Sequence, residues 1–160
     1  MTAEFSECGT YRYVLTRNTN TPLRWVRPAL FIMLNPSTAD AVNNDPTIRR
    51  CISFAEREGC TRLTVVNLFA LRATDPRELK KHKDPVGPLN DRHIALEIMR
   101  HQDIIGGLVV AAWGAHPFAK ERADYIFRKY NGIKCLGTTM NGSPRHPLYV
   151  KSAQPFVEWK

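Results

Sequence analysis

The sequence predicts an α/β fold: a three-layer α/β/α domain with a central, mainly parallel four-stranded sheet and an N-terminal β-hairpin. Three observations predict it. Short apolar runs of β-forming residues alternate with segments whose apolar residues recur at helical spacing, as in strands joined by right-handed crossover helices. The runs stop at polar or turn-forming residues. The length of 160 residues suits one domain with one sizeable core, so residues 1–160 are read as a single unit.

The elements follow in order. Residues 11–16 alternate, residues 18–22 are an Asn/Thr/Pro cluster, and residues 23–26 form a second short run. This predicts a β-hairpin covering one edge of the sheet. Residues 29–34 carry no charge and no glycine, the pattern of a strand buried on both faces. Asp45-Pro46-Thr47 opens a helix, with Ile48, Cys51, Ile52 and Ala55 on its apolar side and Gly59 as its stop. Residues 61–68 predict the second strand, ending at Asn67. Residues 70–88 are a long connection rich in Lys, Arg, Asp and Pro, with one helical turn at 76–81. Residues 88–91 open a helix bearing Ile94, Ile98 and Met99. Residues 104–113 predict the third strand, His116-Pro117 starts a third helix, and residues 133–136 predict the fourth strand. Residues 137–147 are a tail loop.

Composition narrows the partners. The formal charge of +8 favours anionic partners, nucleic acid first and nucleotides second. The basic residues are scattered through the chain rather than massed in a tail. The four cysteines form no C-x-x-C pair and read as reduced thiols, Cys51 and Cys60 within the core. The five histidines show no zinc-binding spacing. No cofactor and no metal is expected. No apolar run approaches the roughly 20 residues of a membrane span, and the first residues lack a signal pattern. The expectation is a cytoplasmic protein with no membrane partner.

Four predicted strands leave polar or special residues beyond their carboxyl ends. These are Asn35-Pro36-Ser37, Asn67, Trp113 to His116, and Ser143 to His146. In an open α/β sheet those ends share one edge, where ligands bind. Thr38, Asp40, Asn44 and Asp45 belong to the same mouth. The chain has no G-x-S-x-G elbow, no Walker loop and no G-x-G-x-x-G, which argues against phosphoryl and hydride transfer. Side-chain amides can pair with a nucleobase edge, and a histidine can stabilise a leaving group that gains charge.

The motifs IMLNPSTAD, NLFALRATDP, PVGPLND, AWGAHP and GSPRHPLY resemble a bacterial and phage family of unknown function. In motif layout that family is similar to the uracil-DNA glycosylase superfamily. Leu34-Asn35-Pro36-Ser37 resembles the G-[IV]-N-P-G motif of the mismatch-specific uracil/thymine glycosylases, whose Asn positions the attacking water. Met33 and Ser37 stand where that motif has glycines. The strand ending at Asn67 resembles the one whose terminal Asn reads the base. Residues 108–116 resemble that superfamily's strand and W-G turn, and residues 143–148 its second catalytic motif in permuted order. The resemblance implies N-glycosidic hydrolysis of a nucleobase, DNA before RNA. The alternatives are a nucleic-acid-binding module without catalysis and a hydrolase of a small nucleoside-like metabolite.

Under this reading Asn35, His146 and Asp45 are catalytic. Pro36, Ser37, Asn67, Trp113, Gly114, His116 and Arg145 bind substrate. Arg72, Arg77, Lys80 and Lys81 contact phosphates, and Leu148 or Tyr149 is the wedge that replaces a flipped base. Each residue also has a plainer reading. Asn35 and Asp45 are then helix or loop caps, Asn67 closes the strand's last ladder bond, Trp113 is core, His116 is surface, and residues 72–83 are a solvated loop.

Overall fold

The computed structural model describes residues 1–37 and 42–159. Seven strands form one mixed sheet: β1 (Thr2–Phe5), β2 (Arg12–Asn18), β3 (Pro28–Met33), β4 (Arg62–Asn67), β5 (Leu108–Ala111), β6 (Lys134–Cys135) and β7 (Val157–Glu158). Their order is β1-β2-β4-β3-β5-β6-β7. β3 lies parallel to β4 and β5, and β5 lies parallel to β6. The flanking pairs β1–β2, β2–β4 and β6–β7 are antiparallel. The sheet is therefore wider than the four strands and hairpin that the sequence predicts.

Three differences have local causes. The hairpin partner of β2 is β1, in the register Thr2↔Thr16. Residues 23–26 form no strand: Leu23 and Trp25 are 81% and 84% exposed. The third strand is shorter than residues 104–113, because Gly106 takes φ 79° and the Gly107 N–H closes a turn onto the Ile104 carbonyl at 2.8 Å. That turn leaves Ile105 fully in solvent. Finally, β7 pairs with β6 and covers an edge that would otherwise be open.

Three α-helices are described: α1 (Pro46–Arg57), α2 (Asn90–Gln102) and α3 (Ala119–Phe127). Asp45 caps α1 by accepting the Ile48 N–H at 2.8 Å, and Gly59 beyond its end takes φ 71°. The alternation of β3 sorts the two cores. Phe31 and Met33 pack with Ile48, Cys51, Phe54 and Ala55 of α1. Leu30 and Ile32 pack with Ile94 and Ile98 of α2 and with Ala123 and Phe127 of α3. Leu30, Phe31 and Ile32 have no exposed surface, as a strand covered on both faces requires. Cys51 and Cys60 lie in the core on the α1 side, and all four cysteines are free. The connection 70–88 contains one 3₁₀ segment, Pro76–Lys80. No described helix is long and apolar enough to cross a membrane.

Candidate functional site

The parallel strands continue their pairing past their own ends, which holds four loops side by side. The Leu68 and Phe69 N–H groups donate to the Met33 and Leu34 carbonyls at 2.9 Å, and the Ala73 N–H to the Pro36 carbonyl at 3.0 Å. On the other flank the Gly114 N–H donates to the Pro144 carbonyl at 3.0 Å. Between these loops opens a cleft of about 710 Å³, within the size range of small-molecule sites.

Asn35, Ser37, Asp45, Asn67, Trp113, Gly114, His116, Arg145, His146 and Tyr149 line it. Pro36 does not: it is buried, and its carbonyl accepts from the Asn35 amide and the Ala73 N–H. Thr38 and Asp40 lie outside the described residues. Leu148 is outside the lining and Tyr149 is on the rim, 81% exposed. Ala73, Thr74 and Pro76 belong to the lining, but Arg72, Arg77, Lys80 and Lys81 do not. Arg72 donates to the Gly9 carbonyl and lies over the Phe5 ring, on the β1 side. Arg77 is paired with Asp75 at 2.7 Å. Lys80 sits 4.6 Å above the Phe118 ring, close enough for its charge to act on His116. Lys81 is exposed.

The polar atoms of the cleft divide into spent and free. Asn35 Nδ2 donates to the Ala73 and Pro36 carbonyls at 2.8 and 3.0 Å. Two carbonyl partners require the amide nitrogen on that side, so Oδ1 is left as the acceptor. Asp45 has both oxygens engaged: Oδ1 caps α1, and Oδ2 accepts from Ser37 Oγ at 2.7 Å. Asn67 is 1% exposed, and its Nδ2 has no hydrogen-bond partner. An unsatisfied buried donor facing a cleft is a group awaiting an acceptor.

His146 Nδ1 accepts the Leu148 N–H at 3.3 Å, so the neutral ring carries its proton on Nε2. Burial lowers the pKa of His146, with Asp45 partly opposing. Burial and then Lys80 lower that of His116. Both rings are therefore neutral donors near pH 7. Trp113 is 3% exposed and stacks on Phe127 with ring centroids 5.3 Å apart. Its ring belongs to the core, and only its margin reaches the cleft. Gly114 takes φ +79°, and a Cβ there would stand 3.2 Å from His146 Cβ. Glycine is required for the two loops to approach this closely.

Sequence reasoning missed Arg12. It is 3% exposed and lines the cleft from β2. Burial lowers its pKa to about 10, with Asp45 opposing, so it remains charged at neutral pH. The signal was an arginine between Tyr11 and Tyr13 in an alternating run. The alternation predicts a hairpin at the sheet edge and does not encode the burial of Arg12, which depends on β1 pairing along β2. Among the described residues no three His, Cys, Asp or Glu side chains cluster to hold a metal.

The chain is an α/β domain with a mixed sheet and a polar cleft at the carboxyl edge of its parallel strands, the edge at which open α/β sheets commonly bind ligands. The chain belongs to DUF1643, described as a protein of unknown function, whose family model matches residues 12–148. No curated protein matches the chain, and no solved structure does.

Proposed function

We propose that the cleft receives a nucleobase flipped out of nucleic acid, DNA in preference to RNA, and hydrolyses its N-glycosidic bond as uracil-DNA glycosylases do. One observation carries the reading. A single cleft holds a free amide acceptor on Asn35, an unpartnered amide donor on Asn67 and a neutral imidazole on His146. In the reaction a water oxygen bonds to C1′ of the sugar, the electrons of the C1′–N bond leave with the base, and the proton the water gives up passes through solvent to the departed base. Asn35 Oδ1 holds the water by accepting one of its hydrogens. Asn67 donates to the base edge, and His146 Nε2–H faces the charge that develops on the departing ring. No strong base contributes, so turnover depends on positioning and on leaving-group stabilisation.

A second reading has its own support. Asp45 is the only carboxylate among the described lining residues, and both its oxygens are committed within the protein. That favours a module that binds a nucleobase without cleaving it. Oligonucleotides carrying varied modified bases, with mass spectrometry for released base and a parallel binding assay, separate the two. Release that falls a hundredfold or so in Asn35→Ala and in His146→Ala, with affinity retained, supports hydrolysis. Binding without release supports the module, and neither binding nor release excludes both.

A further inference from the structure

Arg50 stands outside the cleft lining, yet its bonds end beside it. It lies in the second turn of α1, the helix whose cap Asp45 and early residues Thr47 and Ile48 line the cavity. Its guanidinium rests over the buried Phe54 ring, 4.7 Å from the centroid. From there Nε donates to the Pro147 carbonyl at 3.3 Å, Nη2 to the Val150 carbonyl at 2.6 Å and Nη1 to Ser152 Oγ at 2.7 Å. The two carbonyls bracket a short 3₁₀ turn, Pro147–Tyr149, which His146 caps. His146 Nδ1 accepts the Leu148 N–H, and the His146 carbonyl accepts the Tyr149 N–H at 3.0 Å. The direction of the ring therefore follows the turn, and one planar fork from α1 grips that turn. Val150 also packs in the core on the α1 side, but apolar contact is non-directional and does not set the turn.

We infer that Arg50 is a positioning residue: it clamps residues 146–152 to α1 so that His146 and Tyr149 keep their places in the cleft wall. One helix then fixes two sides of the site, Asp45 through its cap and His146 through Arg50. The inference rests on the nucleobase reading only for what His146 does there. Serving three acceptors at once suits a rigid guanidinium fork, whereas a lysine ammonium is a point charge on a flexible stem. Arg57 supplies the comparison. It also lies over Phe54, at 5.0 Å, but donates to the Ser152 and Gln154 carbonyls at 2.7 Å, further along the chain from the turn.

Titration of the imidazole resonances in the ligand-free chain tests this. Burial holds the His146 pKa down, with Asp45 opposing, while burial and then Lys80 hold down that of His116, on the loop after β5. Arg50→Ala is expected to free the turn, admit water to His146 and raise its midpoint toward the ordinary value of about 6.5, with His116 unmoved. Arg50→Lys is expected to move it in the same direction, and it carries the test if the alanine variant does not fold. Arg57→Ala is expected to leave both histidines in place. A His146 midpoint that does not move in either Arg50 variant, that rises together with His116, or that rises as far in Arg57→Ala overturns the inference. No ligand is present, so each result stands whether or not the cleft takes a nucleobase, which the release and binding assays decide separately.

Discussion

Replacing Gly114 by alanine tests how closely the cleft is assembled. Two costs arise at this position. At φ +79° an L side chain costs about 1–2 kcal/mol. The new methyl would also stand 3.2 Å from His146 Cβ, inside the optimum carbon–carbon separation of roughly 3.5–4.0 Å. His146 is tied to this segment through the Gly114 N–H bond to the Pro144 carbonyl, so relief stretches a bond worth about 1 kcal/mol. Together these give about 2–3 kcal/mol, a fall in Tm of roughly 4–12 °C for a chain of this size. Gly132→Ala is the control, since Gly132 has φ +71° and nothing within 4 Å of an added Cβ. It carries the conformational cost alone, and the loss of unfolded-chain entropy on Gly→Ala is common to both variants. Urea unfolding of both, with the His146 imidazole resonance as a local probe, separates the terms. If the two variants lose equal stability and the His146 resonance does not move, the close contact contributes nothing and the account of Gly114 is wrong.

Other predictions follow from single groups. Asp45→Ala removes the α1 cap and should cost about 0.5–2 kcal/mol, while Asp45→Asn should recover most of it; equal urea midpoints for the two variants would contradict the capping role. His101 is 4% exposed, and burial lowers its folded pKa below the ordinary 6.5. The unfolded chain therefore binds the proton first, and the stability contribution is complete above about pH 6.5 and lost as pH falls below it. The urea midpoint should drop from pH 7.5 to pH 5.5, and by less in His101→Gln. If the protein binds DNA, log affinity should fall linearly with log salt, and Lys80→Ala should reduce the slope by about 1. Arg77→Ala should change it less, because Asp75 already holds that guanidinium. Equal effects of the two variants on the slope would refute that ranking.

The parallel half of the fold was legible because its signals are local. A run such as residues 29–34 can be buried on both faces only in a covered sheet, and the Asp45-Pro46 start and Gly59 stop of α1 are written in residue types. The antiparallel flanks were less legible because pairing is a long-range choice. Residues 23–26 are as apolar as a strand, yet β1 takes the place beside β2, and nothing local distinguishes the two. The same limit applied to the site. Residues at the ends of parallel strands were found because topology gathers them whatever their partners. Arg12 was not, since its burial depends on which strand lies outside β2. The commitments of Asp45 to Ser37 and of Arg77 to Asp75 depend on side-chain geometry that spacing does not encode.

Buried polar groups beneath the cleft show what the site asks of the fold. Asn90, the first residue of α2, has no exposed surface, and its Nδ2 donates to the Asn67 and Leu68 carbonyls at 3.0 Å. It thereby fixes the backbone that carries the Asn67 amide. Arg17 on β2, also fully buried, donates from Nε to Asn44 Oδ1 at 2.5 Å and from Nη2 to the Asn43 carbonyl at 3.3 Å. It anchors the segment that delivers Asp45 to α1. Apolar side chains would fill those positions with less desolvation cost. What they would not do is set the direction of a strand end or a loop, and a site that works by positioning needs its groups held to about half an ångström. Asn90 and Arg17 are not among the lining residues themselves, yet each fixes one side of the cleft. The stability given up to bury them is the cost of a preorganised cleft.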